Sequence, residues 1–189
     1  MKILCAEYGP DGEISIVPVG DNALLRNNDD FYFPDFTTAL SCCPQGVVRI
    51  SRLGKCIAER YAERYYEEVG VGIRFYADSL ETRLKEQGLA AEMASAFDAS
   101  AAISPLVACN GVGDGSYNLK VNGIEVYREE AKLSAASIAR LIAVASEFYT
   151  LKIGDFLYTG GKFRYRGLKA GDRLQMSLDG KSVLDFKIK

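Results

Sequence analysis

Two runs of strictly alternating apolar residues, each turned back on itself at a two-residue turn signal, constrain what this chain can fold into more than any other feature. In the first, Tyr117, Leu119 and Val121 alternate up to Asn122–Gly123, and Ile124 and Val126 resume beyond it. Both residues of an Asn-Gly pair tolerate positive φ, which a type I′ hairpin turn demands. In the second, Leu174, Met176 and Leu178 run into Asp179–Gly180 and are answered by Leu184, Phe186 and Ile188. Alternation of this kind places the apolar side chains on one face of each strand, so both hairpins need a cover. Between them a helical pattern spans about Ser134 to Tyr149. Ser134 is read as its N-cap and Ile138, Leu141, Ile142, Ala145 and Phe148 as its buried stripe. Phe156–Tyr158 supplies another short strand. The expected fold class is α+β, mainly β, with the helix packed on a sheet.

Upstream, MKILCAEY and ISIVPV are extended runs separated by Gly9, Pro10, Asp11 and Gly12, which predicts a short β-hairpin over residues 1–20. Residues 21–189 are read as one mixed domain. Ile57, Tyr61, Tyr65 and Val69 recur every four residues and predict a helix from Cys56 to Val69, stopped by Gly70 and Gly72. A second helix is expected with Asp78 as N-cap, Glu81 completing a capping box, Leu80 and Leu84 on one face, and Gly88 as the stop.

Composition excludes several kinds of chemistry. The 189 residues include no histidine, which removes histidine-based triads, proton shuttles and imidazole metal sites together. Twenty-three basic and 25 acidic residues give a net charge of −2, too balanced for a nucleic-acid footprint. With no long apolar window and no signal-peptide pattern at the start, a soluble, cytoplasmic protein without membrane or nucleic-acid partners is expected. Five cysteines (Cys5, Cys42, Cys43, Cys56 and Cys109) lack the spacing of a disulfide framework or a metal clamp. Cys42 and Cys43 read as strand or loop cysteines, with a soft-metal or redox role as the alternative.

The order of the pieces resembles a known family. VNG at 121–123, the helix, LKIGDFLYTGG at 151–161 and LKAGDRLQMSLDG at 168–180 are similar to the C-terminal half of the fumarylacetoacetate hydrolase (FAH) family. DNALLRNN at 21–28, FYFPDF at 31–36, RLGK at 52–55, RYYEEVGVGI at 64–73 and AFDASAAIS at 96–104 extend the likeness over most of the chain. The resemblance implies an FAH-like mixed β-roll of packed sheets with flanking helices, usually a homodimer. It implies cleavage or isomerisation of oxo-acids, with Mg²⁺, Mn²⁺ or Ca²⁺ held by a Glu-x-Glu pair and an Asp, and a lysine in a Lys-Gly-Phe-Asp segment.

Matched residue by residue, those groups do not carry over. The Glu-x-Glu positions fall on Cys43 and Gln45, and no Asp or Glu occurs between Asp35 and Glu59. The third ligand falls on Arg74, and the lysine on Ser95 in a stretch without Lys or Arg between Lys85 and Lys120. An alignment using Asp78 as ligand is weaker, since that residue is read as a helix cap. The stretch resembling a Phe-x-Lys-Pro segment here holds Val17, Val19 and Gly20.

The expectation is therefore a catalytically inactive family protein with no catalytic residues and no metal or other cofactor. It would serve as a binding or assembly scaffold, a homodimer or a partner of an active relative. The residual pocket would comprise Cys43, Gln45, Arg74, Ser95, Thr159 and Gly160. The alternative is a remodelled hydrolase or isomerase of small 2-oxo or 1,3-dicarbonyl acids, with Cys43, Asp78 and Thr159 as candidates and Arg74 either binding a carboxylate or, as the simpler reading, forming an ion pair that fills the emptied pocket. Lys162, Arg164, Arg166 and Lys169 could receive a small anionic ligand, or form a solvated hairpin loop.

Overall fold

The computed structural model describes residues 1–112, 115–130 and 133–189. Its strands are β1 (Ile3–Tyr8), β2 (Ile14–Val19), β3 (Leu24–Leu25), β4 (Leu40–Ile50), β5 (Tyr66–Ala77), β6 (Ala101–Ile103), β7 (Val107–Ala108), β8 (Tyr117–Val121), β9 (Ile124–Glu129), β10 (Phe156–Tyr158), β11 (Tyr165–Leu168), β12 (Arg173–Leu178) and β13 (Lys181–Lys187). The helices are α1 (Asp78–Glu86) and α2 (Ala135–Phe148). Strands β2-β1-β10-β4-β5-β6-β3 form the large sheet, with β11 added to β4 and β7 to β5. Strands β13-β12-β8-β9 form a second, smaller one.

The long ladder between β4 and β5 organises the molecule, and its alternation defines two environments. On one face, Leu40, Cys42, Val71, Ile73 and Phe75 meet Leu119, Leu174, Met176, Leu184 and Phe186 of the small sheet in an apolar core. Farther along that face, Val48, Ile50 and Val69 pack with Ile138, Leu141, Ile142 and Ala145 of α2. The other face carries Cys43, Gln45, Val47, Gly70, Gly72, Arg74 and Tyr76. Here Ile3 and Val19 from one end of the large sheet share a cluster with Ala101 and Ile103 from the other, so the sheet curls around its own inner face. Space inside is short. A Cβ on Gly72 would stand 2.5 Å from the Ala102 carbonyl oxygen and 2.7 Å from the Tyr158 ring. Glycine is needed there for close approach, and it does not end a helix.

Both alternating hairpins form as expected. Asn122 and Gly123 take φ of 52° and 82°, and Asp179 and Gly180 take 46° and 77°, the left-handed pair that a type I′ turn requires. The N-terminal run also makes a hairpin, and its β1 strand pairs in parallel with β10 within the large sheet. Ser134 caps α2 by accepting from the Ser137 amide at 3.3 Å.

Three expectations fail. The Cys56–Val69 helix is a 3₁₀ stretch at Glu59–Tyr65 followed directly by β5, with Tyr61 exposed and Val69 on a strand. A four-residue spacing of aromatic and β-branched residues suits both periods, and burial of 66–77 on both faces selected the strand. Asp78 is the first residue of α1 and not its cap, and no side chain caps that helix. Its carboxylate instead accepts from Ser41 Oγ at 2.7 Å and receives Arg164 and Arg166 at 3.4 and 3.3 Å. Phe148 lies outside the stripe of α2, 68% exposed, because the helix ends there and turns it away from the sheet. Among the described residues no helix is long and apolar enough to cross a membrane.

Candidate functional site

At one end of the curled inner face, strand pairing sets Cys43 directly opposite Arg74. Tyr76, two residues on, shares their face by alternation. Arg74 is among the largest fully buried side chains, 1% exposed. Its Nη2 donates to the Ser95 carbonyl at 2.5 Å, while Nε and Nη1 are buried without a hydrogen-bond partner. Arginine stays protonated at any ordinary pH, so this is a buried cation with most of its donors unused.

Tyr76 lies between Arg74 and Arg164. Its ring centroid lies 6.0 Å from the Arg74 guanidinium on one side, and Arg164 stacks on it at 3.7 Å. Burial, with smaller contributions from Cys43 and Glu7, pushes the Tyr76 hydroxyl up to about 12 despite the arginines beside it, so it stays a neutral donor. Arg164 is fixed from behind by Glu81 at 2.8 Å. The four-cation loop is thus neither wholly solvated nor wholly available: Arg164 is part of the wall, and Lys162 and Arg166 are exposed.

Two cavities flank Tyr76. One of about 330 Å³ is bounded by Tyr8, Cys43, Lys162, Phe163 and Arg166. The other, of about 190 Å³, is bounded by Ser95, Lys85, Glu92 and Val17. Tyr76, Arg164 and Glu7 line both. Phe163 stacks on Tyr127 with ring centroids 4.5 Å apart, which seats the loop over the larger cavity.

Of the residues singled out from sequence, Cys43, Arg74 and Ser95 stand around Tyr76. Gln45, Thr159 and Gly160 form a bracket deeper in the fold. Gln45 Oε1 accepts from the Gly160 amide at 3.0 Å, Thr159 Oγ1 accepts from the Gly46 amide at 3.0 Å, and Tyr8 donates to the Thr159 carbonyl at 3.1 Å. Gly160 sits at φ +72° against the Ala6 carbonyl. These polar groups are already used in joining β1, β4 and the segment after β10. Cys42 and Cys43 are both fully buried strand residues, and burial pushes the Cys42 thiol far up. Ser95 turns its hydroxyl to the Glu92 carbonyl at 3.2 Å.

A hard dication needs several oxygen ligands. The positions that the resemblance points to as ligands, Cys43, Gln45 and Arg74, present a buried thiol, an engaged amide and a guanidinium, which do not fit one. No group of three or more His, Cys, Asp or Glu side chains that could hold a metal ion occurs among the described residues. Sequence reasoning missed Tyr8 and Tyr76. Tyr76 was legible once residues 66–77 were taken as a strand, two positions from Arg74; Tyr8 was not, because only the parallel pairing of β1 with β10 brings it to Thr159.

The family described as fumarylacetoacetate (FAA) hydrolase, C-terminal, matches residues 74–189. The oxaloacetate tautomerase YcgM of Escherichia coli (strain K12) is 30% identical over 129 residues, 66% of this chain and 59% of that protein. The mitochondrial oxaloacetate tautomerase FAHD1 of Mus musculus is 29% identical over 147 residues, 75% of this chain and 66% of that protein. The match thus spans somewhat under two thirds of the length of these curated relatives. Among solved structures, fumarylpyruvate hydrolase from Pseudomonas aeruginosa in complex with Mn²⁺ and pyruvate superposes with a TM-score of 0.87 at 22% identity, covering 100% of this chain and 89% of that one. The 5-carboxymethyl-2-hydroxymuconate delta-isomerase from Mycobacterium smegmatis gives 0.83 at 18% identity, covering 99% and 78%. At these identities the likeness is one of fold.

Proposed function

Since this chain belongs to the fumarylacetoacetate hydrolase family, we propose that it is a member without the family's metal-dependent chemistry, acting as a binding or assembly protein on the family's fold. The observation that carries this reading is the Cys43–Arg74 pair. A guanidinium and a thiol occupy the positions matched to carboxylate ligands, and a fixed positive charge there repels a dication. The loss of the matched lysine at Ser95 supports it, because a group that would steady a developing negative charge is replaced by a hydroxyl bonded to backbone. Partners in keeping with this reading are a second copy of the chain or an active relative.

The test is metal content and turnover of the purified full chain. Elemental analysis after dialysis against Mg²⁺ or Mn²⁺ is expected to find no stoichiometric metal, and oxaloacetate tautomerisation and acylpyruvate cleavage are expected at the uncatalysed rate. One metal per chain together with turnover would reverse the reading.

A further inference from the structure

We propose that a second cavity, at the far end of β4 from Cys43, is a binding site for a small organic phosphate monoester, with Arg26, Asn27 and Arg49 taking the phosphate and an apolar floor taking the organic group. The inference goes beyond the preceding reading and holds whether or not the cleft beside Tyr76 is catalytic.

Three observations converge. The first is the place. A cavity of about 390 Å³ lies where the ends of β4 and β6, the residues after β3 and the start of β10 meet. Parallel pairing of Leu25 with Ala102 brings Arg26 level with Ile103. Arg49 is six residues beyond Cys43 on β4, about 20 Å along a strand, and this cavity shares no lining residue with either of those beside Tyr76.

The second is the charge. Arg26, Asn27 and Arg49 all line the cavity, and no aspartate or glutamate among the described residues does. Arg26 has no carboxylate partner there; its Nη2 reaches only the Met1 sulfur at 3.5 Å, a weak acceptor. Arg49 is held from β5 by Glu68, through Nη1 at 2.8 Å, with the two side chains 46% and 41% exposed. An exposed pair of that kind neutralises little, Glu68 is not part of the lining, and Nε and Nη2 of Arg49 keep no protein partner among the described residues. Asn27, at φ 60°, spends its side-chain amide on no hydrogen bond within the described structure.

The third is the floor, where Ile103, Leu106 and Phe156 present apolar surface continuous with the inner-face cluster. A phosphate monoester carries close to two negative charges at neutral pH and three terminal oxygens. Those oxygens can meet two guanidinium forks and an amide together, whereas the two oxygens of a carboxylate are filled by one fork. The apolar floor then takes the ester group, and the volume is that of a small-molecule site.

The experiment is calorimetric titration of the full chain with phenyl phosphate, and with inorganic phosphate and benzoate as controls that each keep one half of the ligand. Phenyl phosphate is expected to bind about tenfold or more tighter than either. Arg26→Ala and Arg49→Ala, both at exposed positions, are each expected to weaken it by roughly tenfold while circular dichroism shows the fold retained. Lys162→Ala, in the loop beside Tyr76, is expected to leave the affinity unchanged. Absence of phenyl phosphate binding overturns the proposal, as does equal affinity for inorganic phosphate or benzoate, or unchanged affinity in Arg26→Ala. Loss of binding in Lys162→Ala would put the anion in the other cleft and overturns it equally.

Discussion

The buried guanidinium of Arg74 donates from Nη2 to the carbonyl of Ser95 at 2.5 Å. That carbonyl also accepts from Ser100 Oγ at 3.0 Å, so the loop would stay braced if the arginine were removed. Replacing a buried, poorly compensated charge by an apolar side chain of similar length removes a desolvation cost. Arg74→Met is therefore expected to stabilise the protein by about 1–4 kcal/mol, read as an increase in the urea midpoint at constant slope. A loss of stability would mean that the charge is well compensated in the folded state.

Gly160 occupies a left-handed conformation at φ +72°, and an added Cβ would stand 2.4 Å from the Ala6 carbonyl oxygen. Backbone cannot yield as a flexible side chain does, and the residue's amide is already committed to Gln45. Gly160→Ala is expected to cost roughly 3 kcal/mol through strain and overpacking, measured by thermal and urea unfolding. Gly180→Ala tests the separate contribution of positive φ, since nothing lies within 4 Å of that position.

Glu81 links acidity to the wall of the cleft. Its carboxyl is raised by burial, but hydrogen bonds from Lys85 and Arg164 outweigh that and hold it below the ordinary glutamate range. A depressed folded value means the contribution is complete above the unfolded glutamate pKa of about 4.3 and is lost as pH falls through the folded value. Wild-type stability is expected to decline more steeply than that of Glu81→Gln below about pH 4.5. Parallel pH profiles for the two proteins would refute the coupling.

Arg164 combines that ion pair with stacking on Tyr76 at 3.7 Å. Arg164→Ala is expected to cost roughly 1 kcal/mol. It is also expected to loosen Tyr76, seen as faster quenching of tyrosine fluorescence by iodide. Arg164→Lys should recover little, because an ammonium lacks the planar stacking surface.

The thiols are expected to separate into two classes. Cys56 is exposed and Cys109 half-buried, whereas Cys5, Cys42 and Cys43 are buried. Burial pushes the Cys5, Cys42 and Cys109 thiols above their ordinary value, which suppresses the reactive thiolate. An aromatic disulfide reagent at pH 8 is expected to titrate Cys56 quickly, Cys109 slowly and the other three only on unfolding. Rapid labelling of Cys43 would contradict its burial in the folded protein.

What could be read from the chain follows how local each signal is. The hairpins at Asn122–Gly123 and Asp179–Gly180 were legible because alternation and turn dipeptide act within a dozen residues. The stripe of α2 was legible because Ile138, Leu141, Ile142 and Ala145 have an unambiguous period. The stretch from Cys56 to Val69 misled because its spacing fits a helix, while the preference for β5 comes from β4 on one side and β6 and β7 on the other. Asp78 looked like a cap because its neighbours in sequence made it one; its actual partners, Ser41, Arg164 and Arg166, are 37 or more residues away.

By itself the sequence determined the mainly β class, the two hairpins, the helix, and the absence of histidine and of any carboxylate between Asp35 and Glu59. Those are properties of residue identity and short-range geometry. Only the tertiary structure decided that Cys43 faces Arg74, that the Tyr76 ring lies beside the guanidinium, and that Gln45 and Thr159 bond to the Gly160 and Gly46 amides. Each of these depends on strand register and on the curl of a sheet whose neighbouring strands lie far apart in the chain. Local preferences cannot encode that closure, because it is set by burying both faces of the β4–β5 ladder at once.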